Sequence, residues 1–243
     1  MSRPLVEDIE NYVYRMKRIK DSILSLTGED FLDNHKKTLL FSLLDTMSVG
    51  VFGNKYRRNG KRFEAFVIEF CGWENAERLS LQQMAFLLEK TGETTFVELR
   101  KFTFKELSKY PKSQPVPFSY DPFMEEVQSF LPTDRIFNKL SLCDLKHVNL
   151  LWRYRNSLVH EARSIGADQL FDIEKEPHYI QYYQVGRNEN GVSLMEGHWE
   201  IYYPLRFFVF LVETAISNLA SYLTYHDINP IKNYEFEPLW IRV

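Results

Sequence analysis

The stretch LRFFVFLVETAISNLASYLTYH, residues 205–226, limits the possible folds more than any other part of the chain. Its apolar side chains cover most faces of a helix, and such a helix is stable in water only when other elements surround it. It is expected to be a central helix of a bundle. The rest of the chain offers partners. Leu5, Ile9, Tyr12, Val13, Met16, Ile19, Ile23 and Leu26 recur at helical spacing and predict an amphipathic helix ending near Thr27-Gly28. DNHKKTLLFSLLDTMSVGV, residues 33–51, carries a second apolar stripe with Asp45 embedded in it. RFEAFVIEFCGW has helical length, although Phe63, Phe66, Val67 and Phe70 also suit a strand. In SLQQMAFLLEKTG, Ser80 is placed to cap a short helix that stops at Gly92, and TFVELRKFTFKELSKY adds another.

Pro111, Pro115 and Pro117 in PKSQPVPFSYDP remove backbone donors and fix φ, so no regular element is expected there. This stretch is the best linker in the chain. It separates an N-terminal helical region, residues 1–110, from a second region, residues 118–243. The apolar helices before it need partners, so the two regions are expected to pack as one unit. Beyond the linker, FMEEVQSFLP and CDLKHVNLLWRYRNSLVHEAR read as helices. The second should run about five turns with Leu145, Val148, Leu151 and Trp152 inward. HYIQYYQV and VSLMEGHWEIYYP, on either side of GRNENG, predict a β-hairpin around an Asn-Gly turn.

Thirty basic against 33 acidic residues leave a net charge of −3. The field of the whole chain does not attract a polyanion, and any nucleic-acid contact must be local. One such place is NKYRRNGKR, where Lys55, Arg57, Arg58, Lys61 and Arg62 crowd a loop around the turn dipeptide Asn59-Gly60. The same residues suit an ordinary solvated surface. No run approaches the roughly 18 to 20 apolar residues of a membrane span, and MSRPLVEDIENYVYRMKRIK is too charged for a secretory signal. No membrane association and a cytoplasmic location are the expectation. Cys71 and Cys143 stand far apart, outside any CxxC or Cys/His spacing, and are expected to be buried small hydrophobes. His35, His147, His178, His198 and His226 show no metal-ligand spacing, and the chain has no Walker loop, GxGxxG or GxSxG. No metal or cofactor is expected.

What remains is WRYRNSLVHEAR, residues 152–163. An arginine followed after four to six residues by a histidine is common by chance. Arg-Asn followed by three residues and histidine has an accidental expectation of about 0.02 in a chain of this composition. Arg155, Asn156 and His160 match it, and Arg153 matches the looser form with the same histidine. On a helix Arg153, Asn156 and His160 lie within about 60° of each other, whereas Arg155 points about 140° from His160. A site shared by Arg155 and His160 needs the arginine to wrap round, a distorted turn, or a second copy of the chain. An unremarkable alternative is a structural histidine bonded to Asn156 or Glu161.

YRNSLVH is similar to the Arg-(x4 to x6)-His motif of HEPN-domain proteins, in the form with asparagine after the arginine. As in that family, the motif ends one long helix, a second long apolar helix follows, and an earlier helix carries a polar residue, here Asp45. The resemblance covers residues 140–225, and the whole chain resembles uncharacterised bacterial proteins with LLDTMS-like and YRNSLVHE-like stretches. It implies a mainly α, HEPN-like helical bundle, here with an N-terminal helical extension and a hairpin inserted before the last long helix. It implies a homodimer in which two motifs line one cleft, and a metal-independent endoribonuclease of bacterial defence or toxin–antitoxin systems, with an antitoxin or defence protein as partner.

In that reading a ribose 2′-OH attacks the adjacent phosphate. His160 serves as general base or acid with its twin taking the opposite role, since imidazoles of this kind titrate near neutrality. Arg155, assisted by Arg153, holds the phosphate oxygens. Asn156 fixes the imidazole tautomer or bonds a phosphate oxygen, and Asp45 orients His160 or Arg155. Glu161 and Arg163 flank the site as solvated residues. Members of the family silenced by nucleotide transfer carry a tyrosine two residues after the histidine, and Ala162 stands there in this chain. The hairpin aromatics Tyr179, Tyr182, Tyr183, Trp199 and Tyr202 suit either base stacking or cover for the bundle. The same motif also suits a HEPN module that binds RNA, nucleotide or protein without turnover, and a helical interaction protein with a structural His160.

Overall fold

Helices make up most of the regular structure, and they begin where the apolar periodicity begins. In chain order they are α1 (Leu5–Leu24), α2 (Leu32–Phe52), α3 (Asn59–Phe70), α4 (Leu81–Thr91), α5 (Val97–Leu107), α6 (Met124–Gln128), α7 (His147–Glu161) and α8 (Leu205–Tyr225). The strands are β1 (Val116–Pro117), β2 (Arg135–Phe137), β3 (Leu140–Ser141), β4 (His178–Tyr182), β5 (Val185–Asn188), β6 (Gly191–Leu194) and β7 (His198–Tyr202). This computed structural model describes residues 5–28, 30–91, 96–111, 114–131, 135–137, 140–161, 165, 175–182, 185–188, 191–194 and 198–234. Gly92, Ala162, Arg163, Tyr183, Asn190 and the side chain of Tyr182 lie outside the described residues. The chain forms two compact units, Met1–Trp73 with Phe208–Val243, and Glu74–Phe207.

In the first unit, α1, α2, α3 and most of α8 share an aromatic core. The Phe41 ring lies 4.8 Å from that of Phe208 and 5.9 Å from that of Phe63. Leu40, Leu44, Met47, Phe66, Leu211 and Leu219 are fully withdrawn from water. Each such side chain contributes about 1.5–3 kcal/mol relative to exposure. Asn218 donates to the Phe70 carbonyl at 2.9 Å, one of the acceptors that the end of α3 leaves open. Tyr234 gives its proton to the Thr46 carbonyl at 2.7 Å, so Tyr12 is the donor in the 2.9 Å bond between the two hydroxyls. Tyr12 packs on Gly50 so closely that a methyl group there would overlap its hydroxyl.

Two expectations about this unit change. Asn59-Gly60 does not form a loop turn: Asn59 opens α3, with Arg58 as its N-cap. The apolar residues that follow bury one helical face, Phe63, Phe66, Val67 and Phe70, and this outweighs the local turn preference. The expectation that no stretch has membrane-spanning character counted uninterrupted apolar residues. Over an 18-residue window α8 averages a mean hydropathy of 1.4 and, among the described residues, is the one helix long and apolar enough to cross a membrane. Its Leu211, Val212, Ala215, Leu219 and Leu223 face the core of the unit.

The second unit packs α4 and α5 around Leu79, Met84, Leu88, Phe96, Leu99, Val127, Leu142 and Leu145. Ser80 accepts the Gln83 amide at 3.2 Å and caps α4 as its sequence predicts. The proline stretch does hold a regular element. Val116 and Pro117 pair with Tyr179 and His178, giving a three-stranded sheet in the order β1-β4-β7. Its position explains the exception, because on an edge strand Pro117 faces no second neighbour that needs its missing N–H.

The predicted hairpin is present but divided. β4 pairs with β7, His178 opposite Tyr202, and β5 pairs with β6, Asn188 opposite Gly191. The inner register is offset from the outer by one residue. The segment 143–163 is not one helix from its start. A 3₁₀ turn over Leu142–Leu145 precedes α7, whose 15 residues make about four turns, and Trp152 is only half-buried.

Candidate functional site

α7 is held at its start by an unusually complete set of hydrogen bonds. The His147 and Val148 amides, which a helix N-terminus leaves without internal acceptors, donate to the carbonyls of Arg78 and Ala76 at 3.0 and 2.9 Å. The His147 imidazole is fully buried, donates Nε2–H to Asp121 Oδ2 at 2.7 Å and lies flat on Phe118 with ring centroids 3.7 Å apart. Asp121 Oδ2 also accepts from Tyr179 Oη at 2.5 Å. Its Oδ1 accepts from Tyr110 Oη at 2.6 Å and from the Leu81 amide at 3.1 Å. One buried carboxylate thus joins α4, α7, β4 and the end of the segment after α5. Burial first, and the Asp121 charge second, push the Tyr110 and Tyr179 phenols far above their ordinary range.

From that anchor the helix carries WRYRNSLVHE outward. Tyr154 and Leu158 face the core, while Arg155 and Asn156 are half-buried and Arg153 and His160 are exposed. The Arg155 side chain wraps round the helix. Its Nη1 lies 3.3 Å from Asn156 Oδ1 and 3.4 Å from His160 Nε2, and the guanidinium rests 4.8 Å from the centre of the Trp152 ring. The 140° separation read from the sequence is therefore bridged within one chain by a long side chain steered by an aromatic face. Arginine can only donate, so in this contact Nε2 of His160 is the acceptor. Arg153 points elsewhere, with Nη2 3.8 Å from Asp144 Oδ1. Glu161 accepts from Ser157 at 3.3 Å.

The structure brings Arg155, Asn156 and His160 together. Asp45 lies half-buried on α2 in the first unit. The basic cluster is in the first unit too and has local work: Lys55 sits over the rings of Phe52 and Tyr56, Lys61 pairs with Glu64 at 2.5 Å, and Arg62 donates to Ser48 at 3.1 Å. Arg57 and Arg58 are exposed. Among the hairpin aromatics, Tyr179 and Tyr202 are buried and help cover the second unit, and the half-buried Trp199 meets Tyr110 edge-on at 5.6 Å. Cys71 is buried as expected, its thiol pushed upward by burial, but Cys143 is exposed. Among the described residues no group of three or more His, Cys, Asp or Glu is placed to hold a metal ion.

Sequence reasoning missed Asp121 and His147. Their only local signal is an ionisable residue between aromatics in FSYDP and a histidine at a helix start, and neither reveals that residues as far apart as Leu81 and Tyr179 converge. Comparison with known proteins finds no matching family model, no matching curated protein and no matching solved structure.

Proposed function

We propose that the chain is a HEPN-type endoribonuclease that cleaves RNA without a metal ion. One observation carries this reading: an exposed imidazole, His160, with Nε2 3.4 Å from a guanidinium nitrogen of Arg155. Two groups that close reach the same phosphate. His160 Nε2 takes the proton of the ribose 2′-OH, O2′ attacks the adjacent phosphorus, and the P–O5′ bond breaks as the 5′-oxygen gains a proton. The products are a 2′,3′-cyclic phosphate and a 5′-hydroxyl. Arg155 donates to the non-bridging oxygens, where negative charge grows, from its position over the Trp152 ring. Asn156 holds Arg155 on the correct side. The need for a 2′-OH restricts the reaction to RNA.

A homodimer supplies a second His160 as the acid for the 5′-oxygen, so one site combines two protomers. Arg57 and Arg58, exposed on the first unit, are cations of the kind that hold an RNA backbone. A role in bacterial defence, with an antitoxin or defence protein as partner, belongs to the same reading, as does a cytoplasmic location. A module that binds RNA without turnover is the second reading. It is favoured by the engagement of Arg155 Nη1 with Asn156 and His160 inside the chain. Incubating the purified protein with mixed RNAs in EDTA separates the two. Fragments from the wild type and none from His160→Ala support cleavage, while retention of intact RNA supports binding alone.

A further inference from the structure

A cavity of about 300 Å³ opens on the second unit beside the motif helix. Its lining combines apolar groups, Leu150 and Tyr154 of α7 and Ile201 of β7, with the polar Gln83, Arg153 and Glu200. The volume is at the small end of ligand pockets, enough for one base with its sugar. The polar groups have a definite pattern. Gln82 donates to the Trp199 carbonyl at 2.8 Å and its amide oxygen accepts from Gln83 Nε2 at 2.6 Å, which fixes the Gln83 amide and leaves its oxygen as the acceptor of that group. Glu200 adds a carboxylate. Arg153, held only at 3.8 Å by Asp144, adds a planar pair of donors.

We infer that this cavity binds a guanine base. Guanine presents adjacent N1–H and N2–H donors, which match one carboxylate, and O6 and N7 acceptors, which match one guanidinium. Glu200 takes the donor edge, the Gln83 oxygen takes the second N2 hydrogen, and Arg153 takes O6 and N7. Adenine, cytosine and uracil lack paired donors, so each makes one bond fewer to the half-buried Glu200 carboxylate. Leu150 and Ile201 pack on the base faces over Tyr154, whose own ring lies 4.8 Å from that of Tyr203.

The pocket is also well placed for the proposed reaction. Arg153 and His160 are seven residues apart on one helical face, two turns or about 10 Å. One nucleotide covers that distance from base edge to 3′-phosphate. In RNA the guanosine therefore sits on the 5′ side of the bond that is cut. This placement rests on the nuclease reading, whereas guanine binding itself does not.

Calorimetry with GMP, AMP, CMP and UMP tests the pocket. The wild type is expected to bind GMP at least tenfold more tightly than the others, and Glu200→Gln to lose that preference with its circular dichroism unchanged. If Glu200→Gln does not fold, Gln83→Ala serves, with an expected loss of about three- to tenfold toward GMP. No binding, or equal binding of all four, overturns the inference. Mapping of RNA cuts then identifies the source of the guanine. Cuts after guanosine that lose this preference in Glu200→Gln assign the pocket to the substrate, and GMP binding without such a preference assigns it to a free guanine nucleotide. Absence of any cleavage, with GMP binding intact, removes the nuclease reading and leaves the pocket standing.

Discussion

Nε2 of His147 lies 2.7 Å from Oδ2 of Asp121, with both side chains fully removed from solvent. Together they hold the first turn of the helix that carries the motif. A buried carboxylate with four donors is strongly stabilising only while every donor is in place, since removal of the acceptor leaves several polar groups stranded in apolar surroundings.

Asp121→Ala is accordingly expected to cost about 3–5 kcal/mol. Asp121→Asn also destabilises, because its NH₂ group faces hydrogens that need an acceptor. His147→Phe keeps the stack on Phe118 and leaves three donors on Asp121, so its cost is smaller, about 1–3 kcal/mol. Urea unfolding of the three variants gives this order directly, and an Asp121→Ala variant as stable as the wild type would remove the anchor from the account.

Gly50 makes a second, independent test, in the first unit. Gly50→Ala forces the Tyr12 hydroxyl out of its bond to Tyr234 and is expected to cost about 1–3 kcal/mol, in spite of the better helix propensity of alanine. Adding Tyr12→Phe removes the overlapping oxygen and should recover part of the loss. Thermal unfolding of the single and double variants measures that coupling.

These two cases show where sequence reading succeeds and where it stops. Apolar periodicity located α1, α2 and α8, and the Ser80 hydroxyl located the start of α4, because those signals lie within a few residues of the structure they cause. Asp121 has no such signal. Its partners Leu81, Tyr110, His147 and Tyr179 come from four separate stretches, and only the packed unit brings them together. Val116 and Pro117 read as a linker because the rule for proline in strands depends on whether the strand is at an edge, which is a property of the sheet. At the site, the helical wheel fixed the direction of Cβ correctly, but Arg155 reaches His160 by the path of its side chain over Trp152. A wheel does not contain that path.

Alkaline pH should unfold the protein in a defined window. Burial raises the phenols of Tyr12, Tyr110, Tyr179, Tyr203 and Tyr234 above their ordinary value. A group whose folded pKa is raised favours the folded state fully below its unfolded value and loses that contribution as pH rises, because the unfolded chain ionises first. Stability is expected to hold up to about pH 9 and to fall above about pH 10. Ultraviolet titration should show the exposed tyrosines ionising first and the buried set only on unfolding. Smooth ionisation of all 14 tyrosines near pH 10 in a folded protein would contradict the burial.

Replacing Arg155 tests the division of labour in the motif. Arg155→Ala is expected to lower cleavage by about 10²–10³-fold. Arg155→Lys should recover only part of it, since an ammonium lacks the planar fork and rests less well on Trp152. Both variants should melt within about 3 °C of the wild type, because the side chain is only half-buried. Equal activity of the lysine variant would show that charge alone suffices.

The chemistry of the new RNA ends tests the central claim most directly. RNA incubated with the protein in EDTA, and analysed by mass spectrometry, is expected to carry 2′,3′-cyclic phosphates opposite 5′-hydroxyls. A single 2′-deoxy substitution at the cut position should block that cut, and His160→Ala should yield no products. Ends with 5′-phosphates, or cleavage that survives the loss of His160, would contradict the account.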